Sequence, residues 1–254
     1  MIKEKTTGAA RWLGKELNML QTIKVGLVVS DEGEFAPITE YLPQGGTREC
    51  GDWRGYRSVL LSSQEGSIRF EMRVVLCGIG LSNAAAATAF LIADGADFIC
   101  NEGLSGALQG LSRGELVVGS GFVQHDFDAT ALGYEQGQVC GQTTVLPVFG
   151  ELTAGFCSMH PEFKTGLLAS GDAFICSKEK KGELCERYGA LACDMESSAI
   201  ALTCLRSQIP FLVVRQAADD AGDGAAEVYR EINACLDEGV IALLFDSLRR
   251  LCCA

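Results

Sequence analysis

The chain has 254 residues, 48% of them apolar, and carries 21 basic against 33 acidic side chains for a net charge of −12. That is enough apolar material for one large core, and the uniform acidity argues against a nucleic-acid binder, which needs clustered Lys and Arg. Twelve cysteines without a C-x-x-C pair, several inside apolar runs (Cys77, Cys100, Cys176, Cys204), exclude a disulfide scaffold or a structural zinc and point to reduced thiols in a cytoplasm.

Residues 1–22 read as an N-terminal extension, with a short amphipathic helix over 10–20. Charges interrupt it throughout, so neither a signal peptide nor a membrane span is expected. A single domain then occupies 23–254. Strand-like runs are predicted at 23–30, 56–63, 68–80, 97–103, 114–123, 166–172, 189–196 and 210–219. Helical patterns lie between some of them, at 82–95, 177–189, 195–208 and, as one long amphipathic element, 225–251. Apolar strands alternating with helices predict one α/β domain with a mostly parallel sheet. The stretch from Gly114 to Lys180 has few helical signals and is expected to hold extra strands that curl the sheet.

Four of these strands end in residues capable of chemistry. The first runs into Asp31, Glu32 and Glu34. The second, "VVLCGIGLSNAA", ends in a Gly-x-Gly turn that falls short of a dinucleotide fingerprint. The third carries Asp194 and Glu196 into a helix. The fourth, "PFLVVRQAADDAGD", ends in Arg215, Asp219, Asp220 and Asp223. Taken singly, an acidic residue before a helix is as well explained as a cap. Together, three carboxylate-bearing strand ends mark the ligand-binding edge of an open α/β sheet. Separated carboxylates and an arginine suit a reaction that builds positive charge on the substrate, as glycoside cleavage does. His125 and His160 have no nucleophile at a readable spacing and are taken as structural or surface residues.

The blocks "GIGLSNAAAATAFLI", "NEGLSGAL", "GELVV", "HDFDATALGYEQGQ", "SGDAFI", "DMESSAIALTC" and "PFLVVRQAADDAGD" resemble, in order, those of the nucleoside phosphorylase superfamily from about Lys24 to Leu248. The resemblance implies a three-layer α/β/α sandwich with a central mixed, partly curled sheet. It implies a homodimer, no cofactor and no metal. Its nucleosidase branch cleaves the N-glycosidic bond of methylthioadenosine or S-adenosylhomocysteine, giving adenine and a 5-thio-substituted ribose. On that pattern Glu34 is the general base and Asp219 the acid that protonates purine N7, with Arg215 beside them. Met195 and Glu196 attend the ribose, Phe174 stacks on adenine and Ile175 reads its edge. Gly106 lies beside the sugar, Tyr229 lines the 5′ pocket, and Leu132 reaches that pocket from a partner subunit. Asp31, Leu104, Cys140 and Ala218 depart from the common pattern. Chemistry alone does not choose between Asp219 and Asp220. Burial would raise the pKa of Asp219, and Arg215 would lower it.

Three rivals remain. A phosphorolytic enzyme of the same fold would need basic side chains for phosphate, and "VVSDEGEFAPI" and "FICNEGLSG" supply none. A nucleosidase for another purine nucleoside, such as futalosine, would differ in the 5′ pocket. A non-catalytic binder would not need both Glu34 and Asp219.

Overall fold

The computed structural model describes residues 21–233, 236 and 238–253; the helix expected over 10–20 lies outside them. Nine strands form one sheet: β1 (Gln21–Val29), β2 (Thr47–Trp53), β3 (Tyr56–Glu65), β4 (Ile68–Leu76), β5 (Phe98–Ala107), β6 (Leu116–Gln124), β7 (Lys164–Ser170), β8 (Ala192–Asp194) and β9 (Phe211–Asp219). Their order is β2-β3-β4-β1-β5-β8-β7-β6-β9, and β9 also pairs with β5. The last five strands therefore close on themselves, while β2, β3, β4 and β1 extend as an open wing. The sheet is mixed: β1 runs parallel to β4 and β5, and β9 parallel to β5 but antiparallel to β6. This closure curls the sheet. Among the described residues the stretch from Gly114 to Lys180 adds no strand beyond β6 and β7, and holds a helix instead, α3 (Gly150–Met159).

Helices cover both faces. On one side, Ala84, Ala87 and Leu91 of α2 (Leu81–Ala93) and Ile200, Ala201 and Cys204 of α5 (Ser197–Ser207) pack on Val28, Ile99 and Val213. On the other, Phe35 and Ile38 of α1 (Glu32–Glu40), Phe156 of α3, and Ile241, Leu244, Phe245 and Leu248 of α7 (Gly239–Cys253) pack on Leu27, Leu61, Met72 and Val214. Strands buried on both faces need apolar side chains at nearly every position, which is the pattern of β9. A third, smaller core lies beneath α4 (Lys178–Tyr188). The single long helix expected over 225–251 is instead two, α6 (Ala225–Asn233) and α7. The split falls before Gly239, a poor residue for a helix interior.

Strand register sets up the site. A bulge in β9, where Ala218 is the extra residue facing the Ser105–Gly106 step of β5, places Gly106 opposite Asp219 on one side, and Gly106 pairs with Cys193 of β8 on the other. Three strand ends thus converge on one point.

Candidate active site

An open cavity with about 560 Å³ of empty space lies over these strand ends. Its lining includes Glu34, Gly106, Phe174, Ile175, Met195, Glu196, Asp219 and Tyr229, eight of the nine predicted site residues, together with Ser30, Ile79, Leu104 and Cys193. No Lys or Arg lines it.

Glu34 is the third residue of α1 and closes a capping box with Asp31, so its position follows from how the helix begins. One oxygen accepts from the Leu104 N–H at 2.7 Å; the other accepts from the Ser30 hydroxyl at 3.1 Å and from the Ser30 and Asp31 N–H groups at 3.3 Å. Burial raises its pKa, against the pull of Arg215 and of these hydrogen bonds. Gly103 makes the close approach possible. A Cβ there would stand 2.8 Å from Glu34 Oε1 and 2.6 Å from Arg215 Nη1.

Arg215, expected among the substrate-binding residues, is the one that does not reach the cavity. It is 0% exposed and sits beneath the floor. Its guanidinium donates to Asn101 Oδ1 at 2.7 Å and to Glu196 Oε2 and Ser197 Oγ at 3.2 Å, and it pairs with Asp194 at 3.2 Å. Burial opposes its charge, but Asp194, Glu196 and Glu34 hold it cationic. Asp194 ends β8 and turns back on the chain: it accepts from the Glu196 and Ser197 N–H groups at 3.0 Å and from the Ser197 hydroxyl. Arg215 and these bonds keep its carboxyl below the usual range despite burial. Glu196 is pushed the other way, up to about 7, by burial and by Asp194, and Arg215 only partly offsets this. Its second oxygen accepts from the Gly80 N–H at 3.0 Å, tying the start of α2 to the site.

Asp219 ends β9, 3% exposed, and accepts from the Ala221 N–H at 2.8 Å. Burial raises its pKa, and Asp220 adds to the rise. Burial, not Arg215, is the leading influence on it, and decides the balance that the sequence left open. Asp220 is exposed and turned away, bonding the Gly222 N–H at 3.1 Å. The two aspartates are thereby told apart: only Asp219 faces the cavity.

Phe174 and Tyr229 form an apolar rim, edge to face at 5.5 Å. Phe174 is 41% exposed, a face open to a flat ligand. Asn233 of α6 donates to the Asp31 side chain, so the helix carrying Tyr229 is tied to the one carrying Glu34. Of the departures from the common pattern, Leu104 lines the cavity, Asp31 caps α1, and Ala218 and Cys140 lie outside the lining. Leu132 is 76% exposed and outside this lining too. His125 is buried, and neither of its ring nitrogens has a partner among the described residues; His160 bonds Ser247 at 2.7 Å and stacks on Phe163. The sequence reading missed Glu102, a buried carboxyl next to the Glu34 cluster. A lone acid in an apolar strand was its signal. Among the described residues no group of three or more His, Cys, Asp or Glu is disposed to hold a metal ion, and no helix is long and apolar enough to cross a membrane.

The arrangement can hold a flat apolar ring between Phe174 and Ile175. It can take up a proton at Glu34, give one at Asp219, and stabilise a cation between them. Known proteins share the sequence pattern and the fold of this chain. The family model of the phosphorylase superfamily matches residues 24–243. A 5′-methylthioadenosine/S-adenosylhomocysteine nucleosidase of Staphylococcus aureus (strain bovine RF122 / ET3-1) is 36% identical over 165 residues, which span 62% of this chain and 72% of that one. The structure of a Streptococcus pyogenes S-adenosylhomocysteine nucleosidase in complex with 5-methylthiotubericidin superposes with a TM-score of 0.80 at 26% identity, covering 91% of this chain and 98% of that one. A Helicobacter pylori futalosine hydrolase mutant superposes with a TM-score of 0.76 at 25% identity, covering 89% and 97%. With residues 24–243 matched by the family model, the chain belongs to the phosphorylase superfamily.

Proposed function

We propose that the protein is a purine nucleosidase that hydrolyses the N-glycosidic bond of 5′-methylthioadenosine or S-adenosylhomocysteine, releasing adenine and a 5-thio-substituted ribose. The observation that carries this reading is the charge of the lining: Glu34, Asp194, Glu196 and Asp219, with no Lys or Arg. Such a wall stabilises an oxocarbenium-like sugar and repels phosphate, so water is the nucleophile.

In this reading the adenine lies against Phe174, its edge read by the backbone at Ile175, and the ribose lies over Gly106, Met195 and Glu196. Asp219, its pKa raised by burial, protonates N7 as the bond breaks. Adenine then leaves neutral. Glu34, oriented by Leu104 and Ser30, takes the proton of the attacking water. Arg215 acts from beneath, holding Asp194 and Glu196 in place. Tyr229 closes the 5′ end. We further propose a homodimer in which Leu132, exposed in the single chain, reaches the partner's 5′ pocket. The absence of any disulfide among the described cysteines supports a cytoplasmic setting.

The resemblance to a futalosine hydrolase keeps a second substrate in view. The test is a substrate panel. Adenine release from methylthioadenosine and S-adenosylhomocysteine at kcat/KM values well above those for adenosine and futalosine supports the proposal. Preference for futalosine, or no release of any base, overturns it.

A further inference from the structure

A second cavity, about 350 Å³ of empty space and partly open to solvent, shares Glu34 and Leu104 with the first. Its other polar residues are Gln216 and Glu102, and Ile38 of α1 and Ile241 of α7 line the rest with other apolar groups. Glu102 lies on β5, directly before Gly103, and is 6% exposed. No described residue hydrogen-bonds its carboxyl. Its oxygens are not among the fully buried atoms left without a partner, and the residue lines the second cavity. The charges facing it are Glu34 from α1 and Arg215 from β9, while α7 presents only apolar side chains there. Burial and the ionised Glu34 push Glu102 up to about 8, against the pull of Arg215, so it is an uncharged acid at neutral pH.

The proposed hydrolysis leaves a proton to be moved. As the C1′–N9 bond breaks and the C1′–O bond forms, Asp219 loses a proton to adenine and Glu34 gains one from water. Before the next turnover Glu34 must lose its proton and Asp219 must regain one. The sugar product still fills the first cavity, on the face of Glu34 that met the water. The second cavity offers the other face a route out, with room for about one water.

We propose that Glu102 relays the proton of Glu34 to solvent through this second cavity. Its acid form releases its own proton at the cavity mouth while taking that of Glu34 through an intervening water. Glu34 returns to its carboxylate, and Asp219 is reprotonated from solvent. No other co-reactant is needed. The relay rests on the hydrolytic reading above.

The test is steady-state adenine release from methylthioadenosine by the wild type, Glu102→Gln and Glu102→Asp across pH. Gln keeps the volume but cannot carry a proton, so kcat should fall by ~10-fold, less than the ~10²–10⁴ contributed by a group acting directly on the substrate. KM should hold, and the alkaline limb that Glu102 contributes near 8 should vanish. Asp should recover part of the rate, and added formate or imidazole should rescue Gln. An active wild type with an unchanged Glu102→Gln rate and profile overturns the relay alone. A wild type that releases no adenine overturns the functional reading, and the relay with it. Should Glu102→Gln fail to fold, carboxyl ¹³C NMR on Glu34→Gln decides. The titration near 8 should move down once the ionised Glu34 is gone, and an unmoved midpoint overturns the coupling.

Discussion

Replacing Arg215 by Met removes the buried cation beneath the site while keeping most of its volume. Arg215 is 0% exposed and faces Asp194 and Glu196 at 3.2 Å each, with Glu34 also within its field. Removing one partner from a buried ion cluster typically costs about 3–5 kcal/mol, because the other charges stay buried and unpaired. Two carboxylates are orphaned here, so the upper part of that range is expected at pH 7.5. The sign of the pH dependence follows from the pKa directions. Arg215 lowers Asp194, Glu196 and Glu34; without it the folded-state pKa values of Glu196 and Glu34 rise further above those of the unfolded chain, and Asp194 loses the main charge that holds it below. A carboxyl raised on folding costs nothing below its unfolded pKa and destabilises as pH rises through the folded one. Each tenfold change in proton affinity is worth about 1.4 kcal/mol. The deficit of Arg215→Met should therefore shrink as pH falls from 7.5 to 5. Urea unfolding of both proteins at the two pH values measures it. A deficit under ~1 kcal/mol at pH 7.5, in the range of an exposed ion pair, or one that grows on acidification, would refute the buried cluster as described.

Asp219→Asn should lower kcat by at least ~10²-fold while an unreactive substrate analogue still binds, the pattern of an interaction made in the transition state. Asp220→Asn should change kcat by less than about tenfold, since its carboxylate only caps a turn; the reverse result would exchange the two assignments. Ser30→Ala removes a hydrogen bond that lowers the pKa of Glu34, so the acid limb of kcat/KM should move to higher pH, and an unmoved limb would show that Glu34 is not the group titrating there. Gly103→Ala puts a Cβ into contact with Arg215 Nη1 and Glu34 Oε1; thermal melts should show a loss of roughly 1–3 kcal/mol, and wild-type stability and rate would mean that the close approach is absent.

The sequence showed the site more clearly than the elements around it. β9 was legible because burial on both faces demands an unbroken apolar run, and its charged end stood out against that run. Helix α1 was not, because Pro37 lies inside it and reads as a breaker. The edge strand β2 escaped because nearly all its positions are exposed, leaving no alternation; the left-handed Arg54–Gly55 turn joins it to β3. Helix α3 hid in a stretch read as strands. The role of Arg215 was misjudged for a different reason. Sequence placed it at a strand end next to the site, but the direction of its side chain depends on the partners Asn101, Asp194 and Glu196, which come from β5, β8 and the turn before α5. Glu102 was missed because a single acid inside a strand has no periodic signature, and only the fold brings Glu34 to it.

In the proposed reaction water, not phosphate, attacks the sugar in a cavity walled by carboxylates. Adenine release from methylthioadenosine, followed with and without 50-fold excess phosphate over substrate and with ³¹P NMR of the products, tests it directly. Hydrolysis gives the same rate in both conditions and no sugar phosphate. Release that requires phosphate, with a ribose 1-phosphate among the products, would contradict it.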